Sequence, residues 1–205
     1  VLVDSIHGKS ETLTVVAGCT GRKEKVAAYC KDKRIDLRDT FADLLKDENL
    51  DAVIIATNGY SGRFSRWHQQ RVVPVPSYQI ATEEIGAAAV KALFPSLRMI
   101  ADTKRLLSYF RPSPDRKRVL FGGRARYLQH DAIAGAHLLY DRLLRVFPQL
   151  DGIRLTHCWY GNVAYLRDGI PHLDESKPVE LPGVIHALGC HGSGVVMMSW
   201  LGHRA

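Results

Sequence analysis

The chain has 205 residues, and its 46% hydrophobic and 24% charged residues are ordinary for a globular protein that can bury a core. The net charge of +7 comes from lysines and arginines in short, dispersed groups, so nucleic acid is not an expected partner. No apolar run approaches the roughly 18 residues that a membrane span needs. The four cysteines lack the short paired spacing of a zinc site or a disulfide framework, which favours a reducing, cytoplasmic compartment.

The first part of the chain alternates between strand and helix patterns. Residues 13–18 have the pattern of a buried strand, residues 22–31 that of a charged helix, and residues 40–46 that of a second helix with a threonine cap. Residues 51–57 then form the continuous apolar run that is typical of strands buried on both faces in parallel sheets. This alternation predicts part of a doubly wound parallel sheet.

From residue 71 onward the pattern predicts a mixed or antiparallel sheet with helices, so the expected fold class is α/β, or α+β over the whole chain. The predicted elements, in chain order, are an extended proline-containing segment over 72–80, a hairpin of 106–111 and 118–123, a helix over 131–147, and strands over 153–159 and 184–188. The expected organisation is a partial nucleotide-binding segment over 1–60, a substrate domain over 61–180, and a strand, turn and helix over 181–205 that return to the nucleotide-binding segment.

A glycine-rich turn from Leu188 to Gly194 follows the last predicted strand and leads into the apolar stretch 195–198. Gly192 and Gly194 would let a ligand approach the backbone closely, and the helix that they open would direct unpaired N–H groups toward an electron-rich group. The same pattern suits an ordinary tight turn before a core helix, and a lone His191 in such a turn is more often solvated than ligand-facing. No Gly-x-Gly-x-x-Gly motif stands between a strand and a helix in this sequence.

An ordered series of short motifs extends from residue 56 to the glycine turn. The motifs are Ala56–Tyr60, Pro74–Glu83, Ala101–Arg111, Leu120–Arg124, Phe147–Leu150, Trp159–Gly161, Asp168–His172 and Gly189–Gly194. Through them, residues 57–205 resemble the C-terminal part of the D-amino-acid-oxidase-like FAD-dependent oxidoreductases, in particular the γ-glutamylputrescine oxidase type. The ordered series is far more specific than any one of its motifs.

The resemblance implies FAD as the cofactor and assigns residues to it in two groups. One group would lie beside the dinucleotide: Thr57, Asn58 and Gly59. The other would lie against the isoalloxazine ring, on the loop at 168–171 and on the glycine turn: Pro171, Gly189, His191, Gly192, Ser193 and Gly194.

The resemblance also implies a substrate pocket lined by the sheet that carries Tyr109, Arg111 and Trp159. Aromatic residues at such positions are more often part of a core than of a pocket wall. Arg111 lies late in an apolar strand, where burial of its charge would demand a partner. Isolated residues such as His157 have no companion ligands at metal spacing, so no metal is expected.

The nature of the substrate follows from one departure from the family pattern. Amino-acid oxidases of this type often carry an arginine shortly after the Trp-x-Gly motif, where it binds the substrate carboxylate in a bidentate manner. Here that stretch reads Asn162-Val163-Ala164. The resemblance therefore implies oxidation of a primary or secondary amine, such as a γ-glutamylputrescine-like compound, by hydride transfer to flavin. The expected partner is this small molecule, with neither nucleic acid nor membrane, and a homo-oligomer is left open.

Two alternatives stay open at this point. Residues 13–56 also resemble the middle of a nucleotide fold of the glucose–fructose oxidoreductase/inositol dehydrogenase type, in which Arg22 and Lys23 would lie near an NADP 2′-phosphate. That resemblance implies an NADP-dependent oxidoreductase fragment. The absence of a Gly-rich pyrophosphate turn instead favours a non-catalytic or truncated remnant of the flavin family, or an interaction module.

Overall fold

A computed structural model describes residues 14–20, 22–61, 66–124, 131–175 and 183–204. The chain divides into two compact units. The first unit comprises Val1–Val73 with Ala164–Ala205, and the second comprises Pro74–Val163. Several sheets and six helices among the described residues confirm the predicted mixed α/β class. The division at residues 60 and 180 stays a prediction.

The first sheet of the first unit is a parallel strand pair with a helix between its strands. β1 (Ala17–Cys19) pairs with β2 (Asp36–Arg38), and α1 (Lys23–Asp32) connects them. α2 (Phe41–Leu45) follows and begins at Thr40. The Thr40 hydroxyl accepts the Asp43 N–H while the Asp43 carboxylate accepts the Thr40 N–H, which completes a capping box. The two helices predicted in this region are thus present. The strand predicted over 13–18 is present only as Ala17–Cys19, and residue 13 lies outside the described residues.

The second sheet of the first unit is mixed and has β10 (Val184–Leu188) as its central strand. β10 pairs in parallel with β3 (Val53–Ile55) and antiparallel with β9 (His172–Glu175). The two parallel pairs of this unit therefore belong to separate small sheets. The helices of the unit beyond α2 are α3 (Arg66–Arg71) and α6 (Gly194–Arg204), and α6 follows β10 after the glycine turn.

The second unit is built on a five-stranded sheet in the order β5-β6-β7-β4-β8. Its strands are β4 (Val73–Thr82), β5 (Ile100–Ala101), β6 (Ser108–Pro112), β7 (Val119–Gly123) and β8 (Leu155–Tyr165). β6 and β7 form the predicted antiparallel hairpin, in which Tyr109 lies opposite Gly122 and Arg111 opposite Leu120. β7 also pairs antiparallel with β4, so Gln79 lies on the other side of Gly122.

One face of this sheet is covered by helices and forms the core of the second unit. α5 (Ala132–Val146) begins at Asp131, whose side chain accepts the Ile133 N–H, and ends just before Pro148. A Cβ on Gly135 of α5 would come within 2.2 Å of the Tyr78 ring, so glycine permits a close approach of helix and sheet. The core joins residues of the sheet, of α4 (Ala87–Leu93) and of α5, including Tyr78, Ile80, Val90, Phe121, Leu139 and Leu143.

Among the described residues, none of the helices combines the length and the apolar character that crossing a membrane requires.

Candidate functional site

The glycine turn that follows β10 contains residues with left-handed backbone. Gly189 has φ +80° and Gly192 has φ +90°, values that glycine adopts without a steric penalty. A Cβ on Gly189 would lie 2.4 Å from Leu166 Cδ1 and 3.1 Å from the Ile170 carbonyl oxygen. Gly189 is therefore needed both for the turn and for the close packing of the loop at 166–171 against it.

His191 connects this turn to the end of β8. Its N–H donates to the Ala164 carbonyl at 3.1 Å, and its own carbonyl accepts the Tyr165 hydroxyl at 3.2 Å. The Leu166 N–H donates to His191 Nε2 at 3.3 Å, and the Tyr165 ring packs edge-on against the imidazole at 5.0 Å. Because Nε2 accepts, a neutral His191 carries its proton on Nδ1. His191 is thus held within the fold rather than simply solvated.

Asn58 binds the same segment, although it lies far away in the sequence. Its Oδ1 accepts the Ala164 N–H at 3.2 Å and the Cys190 thiol at 3.2 Å. Asn58 has φ +51°, a left-handed conformation that asparagine tolerates better than most residues. Together, Asn58 and His191 bind both backbone groups of Ala164, so two of the residues assigned to the cofactor are brought together on one strand end.

Thr57 and Gly59 flank Asn58 in a short 3₁₀ turn, Asn58–Tyr60. The Thr57 and Ser61 hydroxyl oxygens lie 2.8 Å apart, and the Ser61 hydroxyl donates to the Asn58 carbonyl at 3.0 Å. Gly59 is buried within the turn. The role of Ser61 in this turn was not predicted from the sequence, although its i,i+4 spacing from Thr57 could have indicated it.

The start of α6 leaves several backbone donors open. Ser193 closes the turn, because its N–H donates to Cys190 and its carbonyl accepts the N–H groups of the first helical turn. Within the described residues, the N–H groups of Gly192, Gly194 and Val195 have no acceptor. A Cβ on Gly192 would meet nothing closer than the Tyr165 hydroxyl at 3.9 Å. The space beside Gly192 is therefore open, and these donors fit an electron-rich group such as the flavin ring that the resemblance implies.

Pro171 lies in the loop that rests on Gly189. Asp168 shapes this loop, since its carboxylate accepts the Ile170 N–H at 3.2 Å and pairs with His172 Nε2 at 2.7 Å. The Ile170 N–H and then the His172 bond lower the pKa of Asp168 below its usual value. The loop is therefore fixed by its own charged and backbone groups, and it shares the first unit with the glycine turn.

Tyr109, Arg111 and Trp159 share one face of the sheet in the second unit. Tyr109 and Arg111 alternate along β6 with the buried Phe110. Trp159 lies between two β8 residues that pack against the core, and its side chain is 43% exposed. Since successive side chains point to opposite faces of a strand, all three lie on the face opposite the core. Neither aromatic is a core residue, and Arg111 is exposed rather than buried.

The basic residues considered for an NADP phosphate already have contacts within the protein. Lys23 forms an ion pair with Asp39, and the Arg22 guanidinium lies 5.8 Å from the centre of the Tyr60 ring. Nothing in this geometry favours an NADP site. The described part of the chain also holds no group of three or more His, Cys, Asp or Glu residues able to bind a metal ion.

A buried histidine pair in the first unit was not expected from the sequence. His68 Nε2 lies 3.3 Å from His186 Nδ1, and both side chains are almost fully buried. Trp67 stacks on His186 with 4.5 Å between ring centres. Burial, followed by the charges of His186 and Arg71, lowers the pKa of His68 to about 4. The pair packs α3 against β10, the strand that leads to the glycine turn.

Known proteins match the chain over most of its length. The family described as FAD dependent oxidoreductase (DAO) matches residues 14–205, which include the segment 14–56. A probable oxidoreductase OrdL of Rhizobium meliloti (strain 1021) is 29% identical over 156 residues, or 74% of the chain and 34% of that protein. The gamma-glutamylputrescine oxidoreductase of Escherichia coli (strain K12) is 32% identical over 111 residues, or 54% of the chain and 26% of that protein. The chain thus spans about a third or less of the length of these relatives.

Solved structures of flavoenzymes share the fold. Glycine oxidase from Geobacillus kaustophilus has a TM-score of 0.56 at 20% identity, with 74% of the chain and 39% of that protein covered. Iminodiacetate oxidase from Chelativorans sp. BNC1 has a TM-score of 0.58 at 15% identity, with 88% of the chain and 51% of that protein covered. At these identities the likeness establishes the fold and not the substrate.

Proposed function

The chain belongs to the DAO family of FAD-dependent oxidoreductases, and we propose that it acts in the oxidation of a primary or secondary amine of the γ-glutamylputrescine-like type. Membership in this family indicates FAD as the cofactor. When bound, FAD supplies the acceptor for the hydride that leaves the carbon next to the amine nitrogen. In this proposal the glycine turn of the first unit contacts the cofactor.

The observation that carries the proposal is the convergence of distant segments around Ala164. Asn58 binds its N–H and His191 binds its carbonyl, although these residues lie 106 and 27 positions away in the sequence. This arrangement fixes the glycine turn and leaves the N–H groups of Gly192, Gly194 and Val195 open. Preorganised donors of this kind stabilise negative charge without reorganising when that charge develops. A reduced flavin carries such charge.

The substrate class rests on the side chains present beside the sheet. The stretch 162–164 holds no arginine able to bind an α-carboxylate in a bidentate manner. Trp159 offers exposed aromatic surface instead, and the half-buried ring of Tyr109 lies on the same sheet face, as does Arg111. This combination supports an amine over an α-amino acid, in line with the relative in Escherichia coli that is named for γ-glutamylputrescine.

A titration of the purified chain with FAD tests the cofactor half of the proposal. Gly192→Ala would place a methyl group into the open space above the turn, and we expect the Kd for FAD to rise at least roughly tenfold. Gly152→Ala is the matched control, because Gly152 also has positive φ, at +76°, and a Cβ there would likewise meet no close contact, with nothing within 4 Å. Flavin fluorescence quenching measures the Kd, and thermal unfolding measures the strain that both variants share.

Two results would contradict the proposal. One is a chain that binds no FAD, and the other is a Gly192→Ala variant that binds FAD as tightly as Gly152→Ala. For the substrate half, anaerobic addition of γ-glutamylputrescine to the FAD-loaded chain should bleach the flavin absorbance, whereas glycine should not. Equal bleaching by both compounds would count against the amine assignment.

One observation favours a second candidate, an interaction module that acts without cofactor. On α6, Val195, Val196 and Trp200 are 73%, 70% and 53% exposed, and their spacing places them on one side of the helix. Exposed apolar surface of this kind marks association sites. Sedimentation of the chain with and without FAD separates the candidates, since the interaction module predicts FAD-independent self-association and the flavoenzyme predicts FAD binding.

A further inference from the structure

The ring of Tyr109 lies flat on the outer face of the sheet, over a glycine. Tyr109 and Gly122 are directly opposite each other in the β6–β7 hairpin. A Cβ built on Gly122 would lie 2.2 Å from Tyr109 Cε2, 2.5 Å from Cζ and 2.9 Å from the Gln79 side chain. No other amino acid could stand at position 122 with the ring in this place. Glycine therefore creates the floor on which the phenol rests.

The hydroxyl of Tyr109 is also fixed. It lies 2.8 Å from the Ser77 hydroxyl, and Ser77 stands on β4 on the same sheet face as Gln79. Ser77 is half-buried, and the contact between the two hydroxyls fixes the hydroxyl end of the ring. Within the part of the chain that the structure describes, no aromatic ring or guanidinium group stacks on Tyr109. The ring thus presents its outer π-face rather than its hydroxyl.

We propose that Ser77 and Gly122 are positioning residues that hold the Tyr109 ring as a flat platform for an alkylammonium group. The face of an aromatic ring attracts cations through its quadrupole. Trp159 adds an exposed indole on the same sheet face. Arg111, two residues further along β6, repels a cation, so the ammonium group binds on the side of Tyr109 that is distant from Arg111. The platform follows from the sheet alone, whereas its use for a substrate amine rests on the proposed function.

Binding of a simple probe pair to the full chain tests this inference. n-Butylammonium chloride carries the cation, and n-butanol is its neutral counterpart of similar size. Chemical shifts of the Tyr109 ring carbons, assigned by their loss in Tyr109→Phe, report both binding and ring orientation. We expect saturable shifts with n-butylammonium and much weaker shifts with n-butanol. Gly122→Ala and Ser77→Ala should each weaken n-butylammonium binding by roughly two- to fivefold, the range of an exposed cation–π contact.

Two further variants separate positioning from folding. Ser77→Thr keeps the hydroxyl and should restore binding close to that of the original chain. Ser108→Ala removes a hydroxyl from the adjacent residue of β6, which faces the core, and should leave binding unchanged. Thermal unfolding of every variant shows whether the fold is intact. The expected pattern is loss of affinity in Ser77→Ala with displaced Tyr109 ring signals and an unchanged unfolding midpoint.

Equal binding of n-butanol and n-butylammonium would overturn the platform. Unchanged n-butylammonium affinity in both Ser77→Ala and Gly122→Ala would overturn the positioning roles. A failure of the proposed function has a different signature, since FAD titration is measured separately. A chain that binds no FAD but still distinguishes the two probes would refute the oxidase and retain the platform.

Discussion

In the first unit the candidate site is made largely of backbone groups, whereas in the second unit it is made of side chains displayed on a sheet. The first site depends on left-handed residues such as Asn58 and Gly192 and on hydrogen bonds between distant segments. The second depends on strand alternation, which places Tyr109 and Trp159 opposite a packed aromatic core. Backbone donors suit a cofactor that stays the same across a family, because exchanging a side chain leaves them in place. Exposed side chains on a rigid sheet can instead be exchanged to suit different substrates.

The packed core of the second unit predicts that truncating a buried side chain there has the largest effect on the free energy of unfolding. Leu139 is fully buried in α5, and Leu139→Ala should lower the free energy of unfolding by about 2–5 kcal/mol through lost burial and a residual cavity. Ile133, in the same helix, is 65% exposed, so Ile133→Ala should change stability by less than about 0.5 kcal/mol. Urea unfolding measures both. A similar loss in the two variants would show that this sheet is not supported by a tight core.

The buried histidines predict a pH effect confined to the first unit. Burial favours neutral His68, so the unfolded chain, with an ordinary histidine pKa of 6.5, binds more protons than the folded chain between pH 6.5 and about 4. The contribution of neutral His68 to the free energy of unfolding is therefore fully present above pH 6.5 and is lost as the pH falls toward 4. The loss should reach about 3 kcal/mol near pH 4. Urea unfolding, followed by the fluorescence of Trp67 at several pH values in this range, gives the slope of stability against pH.

Substitutions identify the histidine responsible. His68→Gln should flatten the stability profile between pH 6.5 and 4, because the titrating group is removed. His157→Gln is the control, since His157 is exposed and, within the described part of the chain, its side chain hydrogen-bonds only to the neighbouring Thr156, through Nδ1. A profile that keeps its slope in His68→Gln and loses it in His157→Gln would contradict the assignment.

Most elements of the second unit follow from the sequence because their signals are local. The β6–β7 hairpin and the Asp131-capped α5 lie where alternation, capping and proline place them. The strand predicted over 153–159 is also present, but β8 continues beyond it to Tyr165. α4 and β5 were missed, since α4 has only seven residues and β5 only two. The fold class follows from the alternation of strand and helix patterns. The FAD family follows from the order of the motifs, and the family match confirms it.

The connections within the first site could not be predicted in the same way. Nothing local in Asn58 indicates that its side chain binds the backbone of Ala164, 106 residues later. The roles of Tyr165 and Leu166 around His191 are equally non-local. The His68–His186 pair joins residues 118 positions apart. Such contacts depend on how strands are brought together, and that information is absent from a single sequence pattern.

Asn58 provides a direct test of these long-range connections. Asn58→Ala would leave the Ala164 N–H and the Cys190 thiol without their acceptor and would place alanine at φ +51°. We expect a loss of about 1–3 kcal/mol in the free energy of unfolding. Asn49→Ala removes an exposed side chain that, among the described residues, hydrogen-bonds only to the nearby Asp47, and should cost less than about 0.5 kcal/mol. Comparable losses in both variants would mean that the connection to β8 is not important for the fold of the first unit.

The smallest expected effect concerns the short helix α2, which is stabilised locally rather than by distant segments. Thr40→Ala removes the acceptor for the Asp43 N–H and half of the capping box, and should lower stability by about 1 kcal/mol. Thr40→Ser keeps the hydroxyl and should restore most of the loss. FAD affinity should be the same in both variants, because this cap lies on a helix that carries none of the residues assigned to the cofactor. A larger loss of FAD affinity in Thr40→Ala than in Asn58→Ala would contradict this expectation. It would show that the cofactor site depends on the β1–α2 region.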